Sequence, residues 1–365
     1  MTIRAFHAKN YGCLRDVHVT LGTRLHAFVG PNDSGKSTLL RGIRAVLQFA
    51  GDSYSLTKTK SWEPFDPFPW QHAQTGSATT MSAIECEVVG GSYRIEEDGV
   101  GPTLQRLKDD NPVKSWDSDR SWTDDVWERG NFDPNEPQPL LAQLQGARLC
   151  QFDASALRSP SGLVPRNDVL GFFDERGFGL PGIYQAILGR GDDAYSQIRE
   201  AVRGLFPTVK RIAVVPLTRS EVSLEVELND GTLVRASELS AGMLHYLAFA
   251  AIPHLDPVSV LLIEEPENGL HPARISEIIR LLRAFAERTD TQVFMATHSP
   301  LVLNELSPDE ISVVTRPNLE TGSVVTPLRA TPHFERRSQV YSSGELWLAY
   351  CDGEQEAPLL DERVK

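Results

Sequence analysis

Gly30-Pro31-Asn32-Asp33-Ser34-Gly35-Lys36-Ser37 sets two glycines, a lysine and a hydroxyl at the spacing GxxxxGK[ST], directly after the apolar run Leu25 to Val29. The stretch that follows, with Leu39, Leu40, Ile43, Val46 and Leu47 at helical spacing, predicts a helix over Lys36 to Phe49 that packs one apolar face on a sheet. A strand, a glycine-rich turn and a helix N-terminus in that order make a cradle for phosphates. The glycines let successive backbone N–H groups turn inward, and the helix end adds partial positive charge. In such a cradle Lys36 reaches the terminal phosphates and Ser37 offers its oxygen to Mg²⁺. Residues Gly30 to Ser37, with Thr38, form the expected phosphate-binding set.

A second group, Val258-Ser259-Val260-Leu261-Leu262-Ile263-Glu264-Glu265, is an apolar strand ending in two carboxylates, which are costly to bury without a cation. Glu264 at the strand tip is placed to hold Mg²⁺, and Glu265 to orient and deprotonate a water that attacks a terminal phosphate. Thr297-His298-Ser299-Pro300 follows the predicted strand Gln292 to Ala296, and parallel sheets gather their ligand groups at the carboxyl ends of strands. His298 there suits a sensor of the terminal phosphate, while Ser299 and Pro300 are also explained as an N-cap and a first helical residue. Glu238-Leu239-Ser240-Ala241-Gly242-Met243 precedes an apolar helix. Ser240 reads there either as a simple N-cap or, with Gly242, as a helix terminus offered to an anion.

The elements around these groups alternate. Two short strands, Ile3 to Ala8 and Val17 to Leu21, open the chain around an Asn10-Tyr11-Gly12 turn. Later come helices at Ile183 to Leu188 and Asp193 to Leu205, then strands at Ile212 to Leu217, Val222 to Leu228 and Leu233 to Ala236, the last two joined by a hairpin turn at Asn229-Asp230-Gly231. From Ala241 onward helices alternate with apolar strands, the pattern of a largely parallel sheet covered on both faces.

Taken together, Gly30 to Ser37, Leu239 to Met243, Ile263 to Pro272 and Thr297 to Pro300, in that order, resemble the ABC-type ATPase heads, and within them the RecF/SMC and OLD-like branch. The resemblance implies an α/β P-loop NTPase fold with a mostly parallel core sheet, an N-terminal antiparallel β-subdomain and a mixed insertion. It assigns Asn32, Lys36 and Ser37 to the Walker A loop, Glu264 and Glu265 to Walker B, Ser240 and Gly242 to the signature loop, Asn268 to Leu270 to the D-loop and His298 to the switch histidine. It makes Gln151 the candidate Q-loop ligand of the metal. It further implies ATP and Mg²⁺ as cofactors and a homodimer that closes around ATP, one chain's Lys36, Glu265 and His298 meeting the other's Ser240 and Gly242. The signature departs from pattern in Ala241 and Met243, and Walker B has glutamate where many relatives have aspartate, which keeps the charge on a longer arm.

The expected segments are 1–49 for the first ATPase lobe, 50–146 for an insertion, 147–331 for the second lobe and 332–365 for a charged, peripheral tail. The insertion holds five of the six tryptophans, and its centre, Met81 to Glu96, alternates as two strands around Gly90-Gly91, with Trp62 to Gln71 and Lys108 to Pro139 as loops. It lacks the heptads of a coiled-coil arm. Only 50 residues follow Thr315 and they contain no DxD pair, so no Toprim nuclease is expected in this chain, and a nuclease or toxin effector would be a separate one.

Nothing in the overall charge of −13 advertises a chain that coats polyanions, so any DNA contact must come from local patches. The candidates are Arg4, Lys9, Arg15, Arg24, Arg41 and Arg44, and then Arg199, Arg203, Lys210 and Arg211. Four scattered cysteines with no metal spacing argue against a disulfide framework or zinc site. No stretch is long and apolar enough to span a membrane, so a cytoplasmic protein is expected. The function implied is a DNA-associated ATPase of genome maintenance or anti-phage defence. The alternatives are a nucleotide-gated scaffold with negligible turnover and a transporter's nucleotide-binding subunit, the latter disfavoured by the 204 residues between Lys36 and Ser240.

Overall fold

Alternation of buried and exposed residues marks Ile3–Tyr11 (β1) and Leu14–Thr20 (β2), which pair antiparallel with Ala5 opposite Thr20 and Tyr11 opposite Leu14. In the computed structural model the described residues are 3–55, 82–88, 91–97, 102–108, 111–117, 147–191 and 193–348. They divide into two units, one of Met1–Leu149, Val258–Leu262 and Ala286–Lys365, the other of Cys150–Pro257 and Ile263–Phe285.

In the first unit Leu25–Val29 (β3) is buried at every residue, as a strand covered on both faces must be. The helix Lys36–Ser55 (α1) buries Leu39, Leu40, Ile43, Val46 and Leu47 in a core shared with Phe6, Tyr11, Phe28 and Phe294. Ser82–Val88 (β4), Gly91–Glu97 (β5), Pro102–Lys108 (β6) and Asn111–Asp117 (β7) extend the N-terminal sheet in the order β2-β1-β4-β5-β6-β7, with Ile3 opposite Val88. The two strands expected around Gly90-Gly91 are β4 and β5, so they continue the β1–β2 sheet. Residues 111–117, expected in a loop, form β7. Trp62 to Gln71 lies outside the described residues.

The core sheet runs β16-β15-β3-β14-β13-β8, built from Gly322–Pro327 (β16), Ile311–Asn318 (β15), Gln292–Thr297 (β14), Val260–Glu264 (β13) and Ala147–Cys150 (β8). β3 pairs parallel with both neighbours, Val29 lying opposite Thr297 on one side and Val313 on the other. β16 turns back antiparallel on β15. The amide of Gln292 ties this sheet to the N-terminal one, accepting from Ile3 N at 2.5 Å and donating to the carbonyls of Ile3, Thr23 and Leu21 at 3.0, 3.2 and 3.3 Å.

The tail is not peripheral over its described part. Ser343–Leu348 buries Leu346 and Trp347 and lies against Pro300–Asn304, with Gly344 N donating to Asn304 Oδ1 at 2.7 Å. The charged residues that suggested exposure alternate with these apolar ones.

In the second unit Val209–Pro216 (β10), Glu221–Leu228 (β11) and Leu233–Arg235 (β12) form an antiparallel sheet, joined at the edge of β11 by Ser161–Gly162 (β9). Leu180–Arg190 packs beside Ala241–Ala251, the Tyr184 hydroxyl donating to Leu247 O at 2.9 Å. Pro272–Thr289 brings the Arg274 guanidinium over the ring of Phe206, 3.9 Å from its centroid.

Candidate functional site

The loop from Gly30 to Ser37 leaves β3 at its carboxyl end and enters α1 at Lys36. Gly30 has no room for a side chain: a Cβ there would strike the Val314 carbonyl of β15. Asp33 and Gly35 take left-handed backbone, φ 63° and 106°, the kind of coiled turn in which successive amides can form an anion nest. Ser34's carbonyl accepts from the buried Ser323 hydroxyl at 2.7 Å, which fixes the loop from β16.

Lys36 is only 8% exposed, and its ammonium donates to Gly30 O at 2.9 Å and Pro31 O at 2.7 Å. The ammonium lies beside the loop at the N-terminal end of α1, where anions are favoured. The chemistry of this set fits a nucleoside triphosphate: a lysine against the loop's carbonyls, a glycine whose Cβ would strike the neighbouring strand, and the Ser37 hydroxyl in the first turn of α1.

His298 follows Thr297, whose register partner is Val29, the residue before Gly30. His298 is therefore exposed at the same sheet end from which the loop emerges. Ser299 N donates to Thr297 Oγ1 at 2.9 Å, a local turn that starts the Pro300–Asn304 helix.

Glu264 ends β13 and is buried, whereas Glu265 is exposed and adopts φ 49°. A non-glycine residue in left-handed backbone carries strain that ordinary loops avoid, and such strain gathers at working residues. The Glu264 carboxylate is a hard oxygen donor of the kind Mg²⁺ takes. Gln151 directly follows β8, exposed, with its N–H donating to Glu175 O at 2.8 Å.

In the second unit Ser240 caps Ala241–Ala251, its hydroxyl accepting from Met243 N at 3.3 Å. A Cβ on Gly242 would come within 2.6 Å of Gly269 O, so the start of this helix lies directly against the 268–270 turn. That turn is closed by Asn268 N to Glu265 O, 3.0 Å, and Leu270 N to Glu267 O, 3.1 Å. His245 reaches it from the helix, Nδ1 lying 2.6 Å from Asn268 O. Burial holds the imidazole below its usual pKa, against the opposing pull of the Asn268 and Phe152 backbone bonds and of Asp153, and the Asn268 carbonyl, an acceptor, takes its hydrogen from Nδ1.

Sequence reasoning missed three residues. His245 carried no motif of its own, although its place five residues after Ser240 on the same helix was a signal. Gln292 and Arg316 had none, because their partners lie 289 and 283 residues away. Arg316 Nη1 stands 3.3 Å from Asp33 Oδ2, on the phosphate loop itself. Among the described residues no group of three or more His, Cys, Asp or Glu side chains forms a metal cluster, and no helix is long and apolar enough to cross a membrane.

Comparison with known proteins bears on the fold. The family model described as "AAA ATPase domain" matches residues 1–124, and that described as "AAA domain, putative AbiEii toxin, Type IV TA system" matches residues 175–304. An OLD nuclease of Thermus scotoductus is 22% identical over 337 residues, covering 82% of this chain and 59% of its own length, so the chain spans well under two thirds of that relative. The energy-coupling factor transporter ATP-binding protein EcfA1 of Methanospirillum hungatei is 38% identical over 69 residues, 19% of this chain and 24% of that protein. The crystal structure of an Smc head bound to the C-terminal winged-helix domain of ScpA superposes with a TM-score of 0.56 at 16% identity, covering 89% of this chain and 98% of that one. With its phosphate loop between β3 and α1 and its parallel core strands, the chain has the α/β fold of a P-loop NTPase, the fold shared with the Smc head structure.

Proposed function

We propose that this chain binds MgATP, dimerises around it and hydrolyses it, and that the cycle of closing and opening is passed to DNA and to a separate effector chain. The observation that carries the reading is the buried Lys36 ammonium on the Gly30 and Pro31 carbonyls, at the sheet end where His298 also emerges. In this reading Lys36 and the loop amides of Pro31 to Thr38 bind the phosphates, and Ser37, Glu264 and Gln151 hold the metal. Glu265 orients and deprotonates the attacking water, and His298 contacts the terminal phosphate. Mg²⁺ supplies charge neutralisation on the phosphate oxygens. Ser240 and Gly242 complete the site of the opposite subunit, where a capped helix start presents its positive end to an anion.

The basic residues divide unevenly. Lys210 and Arg211 both pair with Glu227, and Arg199 and Arg203 with Glu200, so half of that group's charge is answered within its own unit. Arg4, Lys9 and Arg15, exposed on β1 and β2, carry the DNA assignment. Phosphate contacts release counterions, so binding through these residues should weaken steeply with salt.

The deciding experiment is the mass in solution with MgATP of the wild type and Glu265→Gln, which keeps the side chain's shape and removes the base. Accumulation of a dimer in the variant supports the reading. Two monomers with nucleotide bound would sink the dimer and the roles of Ser240 and Gly242.

A further inference from the structure

We propose that Arg316 is a phosphate ligand of the nucleotide site, held in reserve by Asp33, and that a bound nucleoside triphosphate draws its guanidinium from the Asp33 carboxylate onto a phosphate oxygen. The inference rests on the nucleotide-binding reading of the loop and adds to it a residue that no motif marks. Arg316 stands on β15, whose Val313 pairs with Val29 and whose Val314 carbonyl closes on Gly30, so this strand carries the guanidinium along the flank of the loop. Its Nη1 is 3.3 Å from Asp33 Oδ2, while its Nε is buried and makes no hydrogen bond. The guanidinium therefore has a donor to spare.

Asp33 is a peculiar partner. It occupies left-handed backbone in the middle of an anion cradle, and its side chain is 92% exposed. An ion pair with so exposed an acid adds little to folding stability, so the pair is not explained as a staple. A carboxylate on a loop that receives a polyanion opposes binding unless a cation answers it, and the planar fork of arginine matches phosphate oxygens as well as it matches carboxylate. Lys36 thus donates to carbonyls of the loop, and Arg316 reaches the loop from β15 through Asp33. The exchange is one of ionic partners, with no bond made or broken, and the released Asp33 carboxylate turns to solvent.

The test is calorimetric titration of the full chain with Mg²⁺ and ATPγS, comparing wild type, Arg316→Gln, Asp33→Asn, the double variant and Lys36→Ala, with a thermal midpoint for each. Arg316→Gln should weaken binding by about tenfold or more, because a charge-assisted bond to phosphate is lost. Its midpoint should move by no more than about one degree, as an exposed pair allows. Asp33→Asn, which frees the guanidinium, should bind more tightly than wild type, and the double variant should stay weak. Wild-type affinity in Arg316→Gln overturns the proposal. So does a double variant restored to wild-type affinity, which would make Arg316 a mere screen for the Asp33 charge. Weak binding by Lys36→Ala beside an unchanged Arg316→Gln defeats the proposal alone, whereas a wild type that binds no nucleotide removes the parent reading and the proposal together.

Discussion

His245 Nδ1 lies 2.6 Å from the carbonyl oxygen of Asn268, and the same nitrogen sits where a Cβ on Gly269 would have to go. The helix that begins at Ser240 and the turn that follows Glu265 are thereby locked to each other, with Gly269 at φ 69° as the only kind of residue that fits the approach.

Replacing His245 by leucine should destabilise the fold by about 1 kcal/mol, the net worth of the part-buried bond to Asn268 that is lost. His245→Asn, whose amide nitrogen can occupy nearly the position of Nδ1, should recover much of that. Urea unfolding of the two variants checks this, and equal losses in both would show that ring packing, not the bond, is what matters.

Gln292 should be among the costliest polar residues to replace. Its buried amide accepts from one N–H and shares two hydrogens among three carbonyls of β1 and the segment before β3, so Gln292→Leu strands several groups at once and should cost about 3 kcal/mol or more. A loss below about 1 kcal/mol in denaturant titration would mean that water or a shifted β1 takes over the amide's role.

What was legible in the sequence was what depends on near neighbours. The phosphate loop shows itself because glycine, lysine and serine must stand at fixed offsets between a strand and a helix. The core strands β3, β13 and β14 show themselves as apolar runs because both their faces are covered. β6 and β7 were hidden: Gln105, Arg106, Lys114 and Ser115 break the apolar alternation, and those segments become strands by adding to the edge of β5. β16 was hidden for the same reason, since it forms by folding back on β15. Arg316 and Ser323, which touch the loop, and Gln292, which ties β1 to the core sheet, owe their roles to strand register across nearly the whole chain, which no local pattern encodes. Glu265 was read for its charge, while its left-handed backbone could be seen only in the structure.

His26 should make stability depend on pH. It is fully enclosed in β3 between Thr23 Oγ1 at 3.2 Å and Ser312 Oγ at 3.0 Å, and burial lowers its pKa to about 4 against a partial opposing pull from Glu310. The unfolded chain takes up this proton near the ordinary value of 6.5 while the folded one refuses it down to about 4. Stability is therefore full above 6.5 and is lost as pH falls through that window, by about 2 kcal/mol at a pH near 5. His26→Gln should flatten this slope in unfolding free energies measured from about pH 7.5 to 4.5. An unchanged slope would assign the acid sensitivity to other groups.

Glu265 should show stability traded against activity. A glutamate held at φ 49° pays for left-handed backbone that asparagine adopts more readily. Glu265→Asn should therefore raise stability by up to about 1 kcal/mol, visible as a higher urea midpoint with an unchanged slope. The same change shortens the side chain by one methylene and removes the base, so in the proposed mechanism turnover of ATP should vanish while nucleotide binding at Lys36 survives. Glu265→Gln separates the two effects: it removes the base but keeps the strained backbone, so it should lose turnover without gaining stability. If both variants gain equally, the stabilisation comes from discharging a carboxylate beside Glu264 and Glu267, not from the backbone. If Glu265→Asn loses stability, the Glu265 side chain makes contacts worth more than the strain it bears.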